Sequence, residues 1–199
     1  MKRYLIATVG AAGLLGLAAC GDGTNDTAVG QTEPVNAAQD ATSAVVGQTS
    51  ASTLGANTLE GFVDNAAIGG MYEVEAGRMA QERGVSAETK ALGEMLVSDH
   101  TGAAERLAGL ARAAGETIPT EMDERRQGLI DNLRAAQGAE FDRVFAEQQV
   151  AAHEEAITLH EGFADHDDHP ELAAFAGEMV PTLRAHLERA RALETATDQ

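Results

Sequence analysis

From residue 59 to residue 193 apolar side chains recur every three or four positions, the period that returns them to one face of an α-helix. Leu59, Phe62, Ala66, Gly70, Val74 and Gly77 form the first stripe. Gly84 is placed to end that helix in the left-handed conformation, and Ser86 to cap the next. The second stripe runs through Leu92, Met95, Leu96, Ala103, Leu107 and Leu110 toward Gly115. Pro119 breaks the chain, and Thr120 with Asp123 suggests a capping box for a shorter helix through Leu129 and Leu133, closed by Gly138. Phe141, Val144, Phe145, Ala152, Ala156, Leu159 and Phe163 mark a third long helix. After a polar turn, Pro170 suits the first position of a last helix bearing Leu172, Phe175, Met179, Leu183, Leu187, Ala190 and Leu193. No stretch of this region alternates with the two-residue period of a strand. The pattern predicts an all-α domain over residues 59–195: an antiparallel four-helix bundle with one short extra helix between long helices 2 and 3. Each long helix would extend about 37 Å.

The first 58 residues read differently. Lys2 and Arg3 precede an apolar run over residues 5–17, and Leu17-Ala18-Ala19-Cys20 follows. A positive start, a short apolar segment and small residues before a cleavage point describe a signal peptide over residues 1–19. The run is shorter than the roughly 20 apolar residues that span a bilayer. The arrangement resembles a bacterial lipoprotein signal, in which the cysteine thiol is acylated, so Cys20 is the predicted lipidation site. Residues 20–58 are predicted to be a disordered tether with a reach of about 30–35 Å, because they lack the apolar surface to offset ordering entropy. The residue after Cys20 is Gly21 rather than an Asp, which favours the outer over the inner membrane.

Composition narrows the chemistry. Cys20 is the only cysteine, so its acylation leaves no thiol for a disulfide, a nucleophile or a sulfur metal site. The chain has 14 Lys+Arg and 32 Asp+Glu; losing Lys2 and Arg3 leaves 12 against 32, a net of −20. That charge repels nucleic acid and anionic headgroups, so membrane contact would come from the acyl chains. The glycines follow no nucleotide-binding pattern.

The candidate chemistry lies where polar residues fall on apolar stripes. Glu73 interrupts the first, Asp99 with His100 toward its edge the second, and His186 the fourth; His153 and His160 flank the third. One inward acid or imidazole per helix (Glu73, Asp99, His100, His153 and His186) is what a bundle-core site for a divalent transition metal requires. The same groups could instead satisfy one another as a structural polar layer. The turn Asp165, His166, Asp167, Asp168 and His169 is a secondary surface candidate for a metal, or simply a solvated helix–helix turn. Ile68, Met71, Tyr72 and Met79 lie away from the first stripe and would form a surface for an envelope protein partner.

The run Phe62-Val63-Asp64-Asn65-Ala66-Ala67-Ile68-Gly69-Gly70-Met71-Tyr72-Glu73-Val74-Glu75 is similar to the opening of the bacterial family known as domain of unknown function 4142. So are Met95-Leu96-Val97-Ser98-Asp99-His100, Gln149-Val150-Ala151-Ala152-His153-Glu154 and Pro181-Thr182-Leu183-Arg184-Ala185-His186-Leu187. The resemblance implies a ferritin-like four-helix domain in exported, often membrane-anchored proteins, with no established activity or cofactor to carry over. Its signature positions correspond to Glu73, Asp99, His100, His153 and His186. The di-iron pattern of ferritin-like proteins needs Glu-x-x-His. Here the residues three before each histidine are Val97, Val150, Ile157, Phe163, His166 and Leu183. The sequence therefore predicts a lipid-anchored envelope protein facing the periplasm, more a binding or structural protein than an enzyme, with metal binding as the alternative.

Overall fold

The computed structural model describes residues 36–197; the predicted signal segment, Cys20 and the tether up to residue 35 lie outside them. All regular structure among the described residues is helical: α1 (Ala37–Ser50), a π-helical turn (Ala51–Gly55), α2 (Leu59–Arg83), α3 (Ala87–Ala114), α4 (Glu124–Ala135), α5 (Ala139–Phe163) and α6 (Pro170–Thr197). None of these helices is long and apolar enough to cross a membrane.

Local chemistry sets the boundaries. The Thr58 side chain accepts from the Gly61 amide, and the Ser86 hydroxyl from the Thr89 amide at 3.0 Å. Pro170 opens α6 as expected, and Gly115 closes α3 with φ +86°. Two expectations are corrected. Gly84 ends α2 with φ −55° and ψ 140°, so it is not left-handed. Its lack of a side chain matters because a Cβ there would lie 2.5 Å from the Ala80 carbonyl oxygen. The cap of α4 is Asp123 alone, accepting from the Arg126 amide at 2.7 Å, so no Thr120 box forms.

α2 packs most extensively on α3, and α5 on α6; the two pairs meet through α2–α5 and α3–α6. The α2–α3 approach is set by two glycines. A Cβ on Gly77 would sit 2.8 Å from the Gly93 carbonyl oxygen, and one on Gly93 2.6 Å from that of Gly77. Apolar burial falls into two clusters. One holds Tyr72, Leu92, Leu96, Leu133, Phe141, Phe145 and Leu193; the other holds Phe62, Leu107, Phe163, Phe175 and Leu183. Tyr72 and Met79, expected on a surface, are buried, while Ile68 and Met71 are half-buried. The reason is that α4 as well as α5 packs on α2, and the Tyr72 hydroxyl donates to Gln148 of α5.

The tether expectation also fails over residues 36–55. α1 is not held by large apolar residues: Val45 and Val46 face solvent, while Ser43 and Gly47 are buried. It is held by hydrogen bonds to α4 and α5. The Asn132 amide donates to the Asn36 carbonyl and, at 2.6 Å, to Asp40 Oδ1. Gln148 Nε2 donates to Asp40 Oδ2 at 2.7 Å, and Arg125 to the Ser43 carbonyl.

If the glycine contact sets the α2–α3 distance, Gly77→Ala should destabilise the domain by about 1–3 kcal/mol despite the better helix propensity of alanine. Chemical denaturation checks this. An unchanged or raised midpoint would show that the helices separate at no cost.

Candidate metal centre

Each long helix carries a buried titratable side chain near the boundary between the apolar clusters. On α3, His100 lies between Leu96 of one cluster and Leu107 of the other; on α6, His186 lies between Ala190 and Leu183. His153 of α5 stands between Ala146 and Leu159, and Glu73 of α2 follows Tyr72. The structure therefore puts these groups at one height, which spacing along single helices does not reveal.

Three imidazoles converge there. Their ring centroids are 5.2 Å apart for His153 and His186, 5.4 Å for His100 and His186, and 5.8 Å for His100 and His153. One nitrogen from each lies within 4.8 Å of the others, and all three side chains are buried. No other group of three such ligand atoms occurs among the described residues.

The outer partners fix the tautomers. His153 Nδ1 is 2.8 Å from the Gln149 backbone oxygen, which only accepts, so Nδ1 carries the proton. His186 Nε2 is 3.0 Å from Asp99 Oδ2, so that nitrogen carries its proton too. In the neutral rings His153 Nε2 and His186 Nδ1 are then both lone pairs, and they face each other at 3.3 Å. Two acceptors at that distance repel unless a cation lies between them. Two nitrogens each ~2.0–2.1 Å from one tetrahedral ion stand about 3.3–3.4 Å apart. His100 Nε2 is buried beside them with no hydrogen-bond partner. Three imidazoles with Asp99 and a backbone carbonyl behind two of them can hold a transition metal.

Burial keeps the rings neutral. It depresses His100 well below the usual imidazole range, reinforced by His153 and His186, and brings His153 to about 3. His186 is lowered by burial, against the opposing Asp99 hydrogen bond. Burial likewise lifts the Glu73 carboxyl to about 8. Glu73 Oε1 is 4.0 Å from His153 Nδ1, and Oε2 has no partner.

Of the predicted residues, His100, His153 and His186 form the cluster, with Glu73 beside it. Asp99 and His100 exchange their expected places: His100 is interior, while the Asp99 side chain is 41 % exposed and reaches His186 from the rim. A one-residue step turns the helix by about 100°, and the stripe alone leaves open which neighbour points inward. The residues of the 165–169 turn are not gathered. His166 stacks on Phe163 at 4.8 Å, and its ring is 6.0 Å from that of His169. His160 is interior but separate, its Nδ1 donating to the Ala156 carbonyl at 2.8 Å, and burial brings it to about 4. The sequence reading missed the buried ion pair in which Glu155 Oε1 accepts from Arg125 at 2.8 Å and Arg126 at 2.7 Å. It also missed the hydrogen bond from Tyr72 to Gln148. Both join residues 30 or more positions apart or nearly so, and neither leaves a local pattern.

A family model described as domain of unknown function (DUF4142) matches residues 44–193. No curated protein matches the chain. A solved structure described as "CopM in the Cu(II)-bound form" is similar at TM-score 0.60 and 16% identity, covering 69% of this chain and 95% of that one. At that identity the likeness speaks to the fold alone.

These shifts set a pH optimum for the metal-free chain. Below about 6.5 the unfolded histidines take up protons that the buried ones refuse, so stability falls with acid. Glu73 works oppositely: folded, it keeps its proton up to about 8, whereas the unfolded side chain releases it near 4.5. Stability therefore also falls as pH rises toward 8, and below 6.5 four histidines outweigh one carboxyl. Thermal melts of the metal-free chain should peak near pH 6.5, and Glu73→Gln should flatten the alkaline limb. A melting temperature still rising through pH 8 would contradict the Glu73 assignment, and one that stays level below pH 6.5 the histidine assignments.

Proposed function

The chain belongs to the domain of unknown function family DUF4142, and from that premise we propose that it is a metal-binding or metal-buffering helical-bundle domain using His100, His153 and His186. The observation that carries this reading is the facing pair of unprotonated nitrogens, His153 Nε2 and His186 Nδ1, at 3.3 Å. Asp99 and the Gln149 carbonyl act behind the ligands, fixing ring orientation and strengthening the donors. Imidazole without thiolate suits Cu(II), Zn, Ni or Fe(II) more than Cu(I). Cu(II) is the first ion to test, since it stands highest in the divalent affinity order and the structural neighbour CopM is described in its Cu(II)-bound form. A di-iron oxidase site does not fit: the donor set is three imidazoles with one nearby carboxyl, without the paired Glu-x-x-His. Binding is therefore the reading, rather than turnover. The alternative of a purely structural envelope role loses support where Tyr72 and Met79 are buried.

The pairing of α2 with α3 and α5 with α6, across short links, supports an antiparallel four-helix bundle of ferritin-like type in which α4 is the short extra helix. We also place the domain in the cell envelope, anchored through acylated Cys20, with the outer membrane favoured. The lipoprotein-like segment around that cysteine and the net charge of −20 after cleavage support this placement.

Titration of the chain, purified without chelator or histidine tag, should show one Cu(II) per chain with nitrogen ligands by electron paramagnetic resonance. His186→Ala should abolish that site, and Asp99→Asn should weaken it by about 10–100-fold. Replacing His166 and His169 together should leave it unchanged. Stoichiometric binding that survives His186→Ala would remove the interior site. For the anchor, a labelled fatty acid should be incorporated into the chain and lost in Cys20→Ser; incorporation that persists would refute lipidation there.

A further inference from the structure

Under α1 lies a cavity of about 260 Å³ whose walls come from α1 through α6. A cavity of ~150 Å³ lined by apolar side chains is already enough to hold a benzene ring. This one is kept open by small residues, among them Ala66, Gly70, Ala103, Ala152 and Ala156, with Phe175 and Leu183 supplying larger apolar surface. At Gly70 an added Cβ would meet nothing within 4 Å, so the opening is built into the chain rather than left by a poor fit.

The polar groups on the wall sort into two kinds. Arg126 is paired with Glu155 at 2.7 Å, and Asp40 accepts from Asn132 and Gln148, so these are already satisfied. Glu73 and His100 are buried, line the cavity, and leave Oε2 and Nε2 with no partner. Both an apolar void and unpaired buried polar atoms cost stability. Their coincidence describes a space shaped for an occupant with an apolar body and one hydrogen-bonding group. With the wall's arginines already paired, an extra charge would find no partner to repay its desolvation.

We propose that this cavity binds a small uncharged ring compound bearing a hydroxyl or N–H group, of phenol or indole size. The ring takes up the contacts that the small side chains forgo, and its polar group lies on the Glu73 side of the wall. α1 closes the site, with Asp40, Ala41 and Ala44 on its inner face. His100, one of the three clustered imidazoles, also lines the cavity, so binding is tested without metal.

The test uses the whole chain, metal-free, with phenol and indole as probes and toluene as the shape control lacking a donor. Calorimetry and ligand-observed NMR should show saturable binding of phenol or indole, with toluene at least about 10-fold weaker, the worth of one net hydrogen bond. Gly70→Leu should fill the space, abolish binding and raise the melting temperature. Gly102→Leu, at an exposed position where a Cβ likewise meets nothing, should bind as the unmodified chain does. Should Gly70→Leu fail to fold, Ala152→Leu replaces it. No saturable binding of either probe, or binding unchanged in the folded filling variant, overturns the proposal. Toluene binding as tightly as phenol overturns the role of Glu73. Because no metal is present, failure here leaves the histidine site untouched, and failure of the histidine site leaves this one.

Discussion

Everything near the centre of this domain is arranged around one electrostatic constraint: two buried imidazole nitrogens, both without a proton, face each other at 3.3 Å. The constraint is imposed from outside the pair, by Asp99 on one ring and the Gln149 carbonyl on the other. Neither ring can turn to relieve the repulsion without abandoning a hydrogen bond that burial makes valuable. A third ring, His100, closes the group from α3 with its own nitrogen unpaired. Helices must be close for three of them to place rings within 6 Å, and the Gly77–Gly93 contact brings α2, which carries Glu73, against α3.

Much of this is legible in the amino-acid sequence. The long helices, the Ser86 cap and the Pro170 start follow from spacing and local chemistry. Glu73 and His186 stood out because a polar residue in an apolar stripe costs energy that something must repay. The remainder depends on neighbours far away in sequence. The Asp99–His100 exchange is a rotation of about 100°, finer than a stripe resolves. Tyr72 and Met79 are buried because α4 and α5 both pack on α2, an arrangement no local pattern specifies. α1 escaped because its affinity for the domain resides in Asn132, Gln148 and Arg125, some 80 to 110 residues away, while its own valines point outward. Low apolar content is a sound sign of disorder only where no polar partners wait on a folded surface.

The same economy of side-chain size has two effects. Alanine and glycine let helix backbones approach where they meet, and leave volume where they do not. Close packing at Gly77 and open space at Gly70 are seven residues, about two turns, apart on one helix. A core so poor in bulk gains less from burial per residue than a leucine-rich one, which raises the relative weight of the polar contacts that hold α1 and the Arg–Glu cluster.

The imidazole layer also divides the interior. On α3 and α6 the residues before and after the histidine belong to different apolar clusters, so the domain has two small cores in series rather than one. Small cores bury proportionally less surface and resist opening less. Between them, neutral rings that repel form a seam, whereas rings drawn onto a shared cation would form a rivet. Occupancy of that one layer would then decide whether the two halves breathe separately or melt together, and cooperativity itself would report the state of the site.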